Sequence, residues 1–312
     1  MSSNRVDGDR ALVGLSTEEA VEAIVAADPT RDPDEVRSLL DHVTTDDRVT
    51  RDGIDSTVSD VAKRLATAET RVELAESALD DATAAADGVR DLDVVASRLE
   101  GYQSTLDAAA ARVERLGSAL REISTPADDP DAVYESVVEL RRIATEIQEP
   151  QRRADELQLD LEDFERWLDS HERRRRAFEE DVDAVADSLE AARGDHEDAE
   201  SWLDASLRVE LIPVLLRDLR GELADLREMA DRDGVAGEHW DEELRGRLNE
   251  LESRAESVRN ALDDAGDPAW TEAYGDRIDA FARSLDGVEP PVDWGAVQSD
   301  LERARALDEP SP

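Results

Sequence analysis

Apolar residues recur at alternating steps of three and four over residues 140–192 of this chain. Such heptad spacing keeps one narrow apolar stripe on a helix and is typical of a seam that packs against a partner helix. It predicts one long central helix from Pro130 to Arg193, with a kink near Pro150, because proline removes a helical hydrogen bond. The two interleaved series of the seam are Leu140, Ile147, Ala154, Leu161, Leu168, Arg175, Val182 and Leu189, and Ile143, Pro150, Leu157, Phe164, His171, Phe178, Val185 and Ala192.

Further heptad patterns flank this segment and begin at Val61, Leu92, Leu203 and Leu244. Glycine and proline separate them, and helices joined by short links pack antiparallel. No segment has the alternating pattern of a strand. The sequence therefore predicts an all-α fold, with elongated antiparallel helical bundles or a coiled coil around the long central helix and a small N-terminal helical cap.

The N-terminal cap is predicted from helix-start signals. Ser16 and Glu19 have the spacing of a capping box, and Asp32-Pro33 places proline at the first position of a second helix. Asp52-Gly53 is expected to form a turn before the first heptad helix.

The remaining boundaries divide the chain into four predicted segments. Ser124-Thr125-Pro126 is expected to end the helix that precedes the central one, and Asp129 to cap the central helix. The segments are a small helical N-terminal module at 1–56, a first antiparallel bundle at 57–160, a second bundle sharing the long helix at 161–266, and short C-terminal helices with a tail at 267–312.

The charge composition indicates a halophile. Asp and Glu number 80 against 37 Lys and Arg, which gives a net charge of -43, and Lys63 is the single lysine. Self-repulsion of this size opposes folding in dilute buffer. At molar salt the Debye length falls to about 3 Å and the repulsion is screened. We therefore expect a protein of a salt-accumulating archaeon.

Several classes of function have no sequence support. The chain has no cysteine, no phosphate-binding glycine loop and no metalloprotease motif, and its four histidines are dispersed. We therefore expect no enzyme activity, no cofactor and no metal. No apolar run is long enough to span a membrane, and the first residues, Met1 to Asp7, lack the apolar core of a signal peptide. The expected location is the cytoplasm.

Candidate partner-binding residues lie in two places. His171 and Arg175 interrupt the apolar seam, where they could set register against a carboxylate on a partner helix. Leu211, Ile212 and Leu215 belong to the most apolar stretch of the chain, which Pro213 could bend and expose. Protein partners that bind through helix faces are expected, and self-association through the seam is left open.

A DNA-associated regulator is the alternative function. Residues 57–76 can be read as a helix-turn-helix in which Lys63, Arg64 and Arg71 contact DNA. The heptad, however, passes through Ala66-Thr67-Ala68 without a break, which favours one continuous helix. Acidic side chains on the same segment would also repel phosphate. Nucleic acid is therefore not the expected partner.

Four segments resemble haloarchaeal proteins labelled "halo transducer": Leu12–Ala20, Ala68–Ala75, Arg152–Leu157 and Phe164–Asp169. The resemblance extends to about residue 230 and implies a role in sensory or taxis signalling. Leu189–Asp195 is also similar to the I-E-A-A-R-A-G-E string at the hairpin tip of methyl-accepting transducers, although the membrane helices and methylation pairs of those proteins are not found. The leading hypothesis is a cytoplasmic, non-enzymatic helical scaffold or signalling-accessory protein.

Overall fold

The computed structural model describes residues 12–123, 130–194, 196–235 and 240–306. These residues form an all-α fold with one minimal hairpin, which confirms the predicted fold class. The predicted boundaries at Ser124–Pro126 and at Asp129 lie outside the described residues. The elements are α1 (Thr17–Ala27), α2 (Pro33–Leu40), a 3₁₀ turn (Asp41–Val43), β1 (Thr44–Thr45), β2 (Arg48–Val49), α3 (Arg51–Ala85), α4 (Asp93–Glu122), α5 (Pro130–Glu146), α6 (Gln148–Leu168), α7 (His171–Ala192), α8 (Ala199–Arg232), α9 (Trp240–Ala265), α10 (Pro268–Leu285) and α11 (Trp294–Arg305).

The chain divides into two compact units. Unit 1 contains Met1–Thr83 and Glu100–Asp163, and unit 2 contains Ala84–Leu99 and Phe164–Pro312. The division falls inside α3, α4 and α6. No helix in the described part of the chain is long and apolar enough to cross a membrane.

The predicted helix starts of the N-terminal segment are confirmed. Ser16 caps α1 by accepting a hydrogen bond from the backbone N–H of Glu19, while the Glu19 carboxylate accepts from the Ser16 N–H at 3.0 Å. Asp32 caps α2, with Pro33 at the first helical position. Ile24 and Leu40 from these helices share a buried core with Val137 of α5. The first turns of α5 therefore complete the core of the N-terminal segment.

The turn predicted at Asp52-Gly53 is wrong, and so is the prediction of no strand. The chain turns at Asp46 and Asp47, which join the antiparallel strands β1 and β2 and have φ angles of 50° and 61°. A two-residue hairpin of this kind needs positive φ at both positions, and aspartate tolerates that conformation better than most residues. Gly53 instead lies in the first turn of α3, where a Cβ atom would come within 2.3 Å of the Val43 carbonyl oxygen.

Helices α3 and α4 and the α5–α6 segment form the main bundle of unit 1. Their heptad positions meet in one buried cluster, in which the α3 residues pack against α4 and against the α5–α6 segment. Much of the predicted heptad of α3 is buried, which explains why a helix of 35 residues can be stable with so many exposed charges. The buried members of the cluster are Val61, Leu65, Ala68, Val113, Leu116, Leu140, Ile143 and Ile147.

The single central helix predicted from Pro130 to Arg193 is wrong, because the segment forms α5, α6 and α7. The first interruption is at Ile147, three residues before Pro150, which agrees with the kink expected from the missing proline N–H. The second interruption follows Leu168, and the Ser170 hydroxyl then caps α7 by accepting from the Arg173 N–H. This cap competes with continuation of the helix. The second interruption changes which side chains face the core.

Helix α8 is the centre of unit 2. It packs against α7, α9, α10 and α11. Contact with several helices requires apolar residues on more than one face of α8, which explains the apolar stretch near Leu211. Pro213 lies inside α8 without ending it.

Candidate functional site

An open groove between α3 and α4 in unit 1 is the candidate interaction site, and we call it the α3–α4 groove. Its volume is about 650 Å³. Both helices contribute residues at heptad spacing, so the groove follows the two helices over several turns. Its lining residues are Ala62, Leu65, Glu69, Val72, Glu73, Ala110, Val113, Glu114, Gly117, Leu120 and Arg121.

The floor of the groove is apolar. Leu65 is 6% exposed and Val113 is 5% exposed, while Val72 and Leu120 are half-buried and pack against the same core cluster. Gly117 lies beside the floor, where an added Cβ atom would be in van der Waals contact with Cδ2 of Leu65 at 3.4 Å. The floor therefore offers partly exposed apolar side chains in a fixed arrangement.

The rim of the groove is acidic. Glu69, Glu73 and Glu114 are exposed, and none of them has an ion pair within 4.0 Å among the residues that the structure describes. Arg121, the one cation in the lining, donates its Nε hydrogen to the Gly117 carbonyl oxygen at 3.1 Å and hydrogen-bonds Ser118 through its Nη2. Since its guanidinium bonds to its own helix, it leaves the three carboxylates available to a partner.

The buried arginine near the start of α7 is Arg174 and not Arg175, the residue predicted to lie on the seam. Arg175 is paired with Glu179 on its own helix, 2.8 Å from Nε to Oε1. Arg174 is instead 1% exposed, and it donates to the carbonyl oxygen of Leu168 at the end of α6 and to the carboxylate of Asp233 at the end of α8. His171, the other predicted seam residue, is half-buried, with its ring edge-on to Trp240 at 5.1 Å between centroids.

The predicted apolar partner site belongs to the core of unit 2. Ile212 is buried, and Leu211 packs against the buried cluster that includes Phe281 of α10. Leu215 is half-buried on the same helix. Leu211 and Ile212 therefore contribute to packing around α8 and do not form an open apolar surface.

The helix-turn-helix reading of residues 57–76 is corrected by the structure, because α3 runs through this segment without a turn. Lys63 is paired with Asp60 at 2.8 Å, and Arg71 with Asp155 at 3.4 Å. Arg64 is exposed and has no ion pair within the described residues. Of the three predicted DNA contacts, Arg64 alone is unpaired within the part of the chain that the structure describes.

Sequence reasoning missed a row of carboxylates on α8. Asp218, Glu222 and Asp225 lie four and three residues apart, which places them on one face of the helix. Asp218 accepts from the indole N–H of Trp294 at 3.0 Å, and Asp225 accepts from the backbone N–H of Val94 at the start of α4 at 2.9 Å. Acidic residues are so numerous in this chain that the spacing alone could not single out this row.

The middle carboxylate of the row meets an arginine. Glu222 Oε1 is 3.2 Å from Nη2 of Arg98, whose guanidinium also lies over the ring of Trp167 at 4.3 Å. Burial raises the pKa of Glu222, while Arg98 acts in the opposite direction. Burial also raises the pKa of Asp225, against the effect of the Val94 N–H. These contacts fasten α4 and the 292–294 segment to α8, which is a structural role.

Comparison with protein-family models, with curated proteins and with solved structures gives no match. Within the described ranges, no group of three or more histidine, aspartate or glutamate side chains is arranged to hold a metal ion. The function is therefore argued from the geometry of the grooves and their charges.

Proposed function

We propose that this protein is a cytoplasmic, non-enzymatic helical scaffold or signalling-accessory protein of a halophilic archaeon that binds a partner helix in the α3–α4 groove. The observation that supports this most strongly is the combination of an apolar floor at Leu65, Val72 and Val113 with the acidic rim of the groove. Insertion of an amphipathic helix between two exposed helices is an established mode of peptide recognition. The signalling role rests on the resemblance to haloarchaeal proteins labelled halo transducer.

The partner helix is amphipathic and basic. Apolar residues at steps of three and four would pack on Val72, Leu120 and the other floor residues, and arginines on its flanks would meet Glu69, Glu73 and Glu114. A second copy of this chain is the less suitable occupant, since it also has a net charge of -43 and would bring further carboxylates to the rim. The proposal therefore commits to a different protein with a basic helix.

High salt changes how much the apolar floor and the acidic rim of the groove each contribute to partner binding. At molar ionic strength, attraction between charges is screened beyond about 3 Å, so only carboxylates in direct contact with the partner contribute. Apolar contact with the floor then supplies most of the affinity, while the rim selects for a basic partner. The charge composition, 80 acidic residues against 37 basic ones, supports this high-salt setting.

A labelled peptide tests the proposal. The probe is a synthetic amphipathic helix with leucines at heptad spacing and arginines on both flanks, and binding to the full chain is followed by fluorescence anisotropy in molar KCl. The variant Glu69→Arg/Glu73→Arg/Glu114→Arg should weaken binding by about tenfold or more, because three contact attractions become repulsions.

The matched control changes the net charge by the same amount outside the groove. Glu76, Asp80 and Glu122 are exposed residues of α3 and α4 that do not line it. Glu76→Arg/Asp80→Arg/Glu122→Arg should bind the peptide like the parent chain. Equal weakening in the two triple variants would indicate attraction to the whole acidic surface, which contradicts the proposed groove.

A further inference from the structure

A second cleft in unit 1 has the opposite charge character, and we call it the α3–α5 cleft. Its volume is about 290 Å³, and it shares no lining residue with the α3–α4 groove. Arg64 of α3 and Arg141 of α5 both line it, together with His42, which precedes the β1–β2 hairpin. In a chain of net charge -43, a cleft lined by two arginines and a histidine is unexpected.

Arg64 and Arg141 differ from the neighbouring cations in their pairing. Within the part of the chain that the structure describes, neither Arg64 nor Arg141 has an ion pair within 4.0 Å. Their sequence neighbours do: Lys63 is paired with Asp60, and Arg142 is paired with Glu146 at 2.7 Å. A paired cation thus lies next to Arg64 and next to Arg141 in the sequence. The two arginines themselves stay unpaired within the described residues, although acidic residues outnumber basic ones more than two to one.

Asp60, the carboxylate that lines the cleft, is already engaged. Its hydrogen bond with Lys63 is 2.8 Å long and is the main reason that the pKa of Asp60 is lowered, with Arg64 adding a weaker electrostatic effect. Asp60 therefore does not neutralise Arg64 by direct contact.

The walls of the cleft are held in place by packing and by hydrogen bonds. Val61 and Leu140 line it and belong to the buried cluster between α3 and α5. The Thr57 hydroxyl donates to the carbonyl oxygen of His42 at 2.6 Å, which ties the segment before the hairpin to α3. The backbone positions of the three basic residues are thus fixed, while the exposed ends of their side chains can adjust to a ligand.

We propose that the α3–α5 cleft binds a small multivalent oxyanion, of which a phosphate monoester is the representative. Guanidinium groups form paired, charge-assisted hydrogen bonds with phosphate oxygens, and two of them can hold one anion from opposite walls. The imidazole of His42 and the side-chain amide of Gln148, which also lines the cleft, add further donors.

The size and surroundings of the cleft favour a small ligand over a nucleic acid. A volume of about 290 Å³ is at the lower end of ligand sites, which suits a compact phosphorylated molecule. An extended polyanion needs a continuous row of unpaired cations, whereas Lys63 and Arg71 are bound to carboxylates of this chain.

Calorimetric titration of the full chain tests this inference. Inorganic phosphate and glycerol phosphate are titrated separately in KCl at constant ionic strength, and the arms distinguish the free ion from the monoester. Saturable binding of one equivalent is expected for at least one of them. Arg64→Gln/Arg141→Gln should weaken that binding by about tenfold or more, since each charge-assisted bond contributes substantially to affinity.

The control variant is Arg115→Gln/Arg153→Gln, which removes two exposed arginines of unit 1 that do not line the cleft. It should bind the probe like the parent chain, and helical circular dichroism should be the same for all three proteins. Absence of saturable binding in the parent, or equal loss in both variants, would overturn the inference. Binding of duplex DNA that neither probe displaces would also overturn it, in favour of a nucleic-acid surface.

Discussion

Arg174 and Arg175 are adjacent arginines in different environments, so alanine substitution should separate them. The Arg174 side chain is 1% exposed and donates to the carbonyl oxygen of Leu168 and to the carboxylate of Asp233. Removing one member of a fully buried ion pair costs about 3–5 kcal/mol. Asp233 is 47% exposed, so its carboxylate regains water when the arginine is lost. We therefore expect Arg174→Ala to lower the free energy of unfolding of unit 2 by about 2–3 kcal/mol.

Arg175→Ala is the matched control. Arg175 and Glu179 are 36% and 35% exposed and are spaced four residues apart on one helix. Such pairs contribute only about 0.3–0.5 kcal/mol, and screening at high salt reduces this further. The two substitutions remove the same type of side chain one position apart, so their difference measures the combined effect of Arg174's burial and its contacts with Leu168 and Asp233.

Tryptophan fluorescence during urea unfolding in molar KCl measures the effect in the relevant part of the chain. All five tryptophans, Trp167, Trp202, Trp240, Trp270 and Trp294, belong to unit 2. Arg174→Ala should move the unfolding midpoint to clearly lower urea, and Arg175→Ala should leave it nearly unchanged. An equal shift in both variants, or a larger one for Arg175→Ala, would refute the assignment of Arg174 as the buried arginine at the junction of α6 and α7.

Three further predictions concern close packing, pH and salt. Gly53→Ala should destabilise unit 1 by roughly 2 kcal/mol or more, since its Cβ would overlap the Val43 carbonyl group. Gly101→Ala, with no atom within 4 Å of its added Cβ, should instead stabilise unit 1 by about 0.5–1 kcal/mol. Urea unfolding followed by circular dichroism measures both changes, and equal effects would argue against the close contact at Gly53. Burial raises the pKa of Glu222 above 4.5, so the folded state binds its proton more tightly than the unfolded state does. The contribution of Glu222 to the free energy of unfolding therefore becomes more favourable as pH falls from its raised pKa toward 4.5. Glu222→Gln should therefore reduce the pH dependence of unit 2 unfolding, unlike the exposed control Glu250→Gln, and an unchanged pH profile would contradict this. Helical circular dichroism should be weak in dilute buffer and rise toward molar KCl as the repulsion among the -43 net charges is screened, and full cooperative folding in dilute buffer would contradict the salt argument.

Local signals predicted much of the fold. The caps at Ser16 and Asp32 and the heptad positions of α3 were readable because they depend only on nearby residues and on helix periodicity. The break after Leu168 is not predictable in this way, because Ser170 lies within a charged segment and is a weak signal beside a heptad that continues on both sides. The Asp46–Asp47 hairpin was missed since strands of two residues have no detectable period.

The candidate sites were only partly predictable. The heptads that begin at Val61 and Leu92 place Leu65, Val72 and Val113 on apolar helix faces, but which face stays open depends on where the third helix of the bundle packs. The sequence alone identifies Arg64 as a possible contact. Arg141, from a separate helix, could be placed beside it in one cleft only through the tertiary fold. Arg174 could not be distinguished within a run of four arginines until the start of α7 was fixed.

Amide hydrogen exchange of the full chain, with and without the arginine-flanked amphipathic peptide in molar KCl, tests the proposed function most directly. This measurement locates the bound peptide on the unsubstituted chain. We predict slower exchange in residues 62–73 of α3 and 110–121 of α4, which contain the lining of the α3–α4 groove, and unchanged exchange in α9 and α10 of unit 2. Protection spread evenly over both units, or none in these two segments despite peptide binding, would contradict the account.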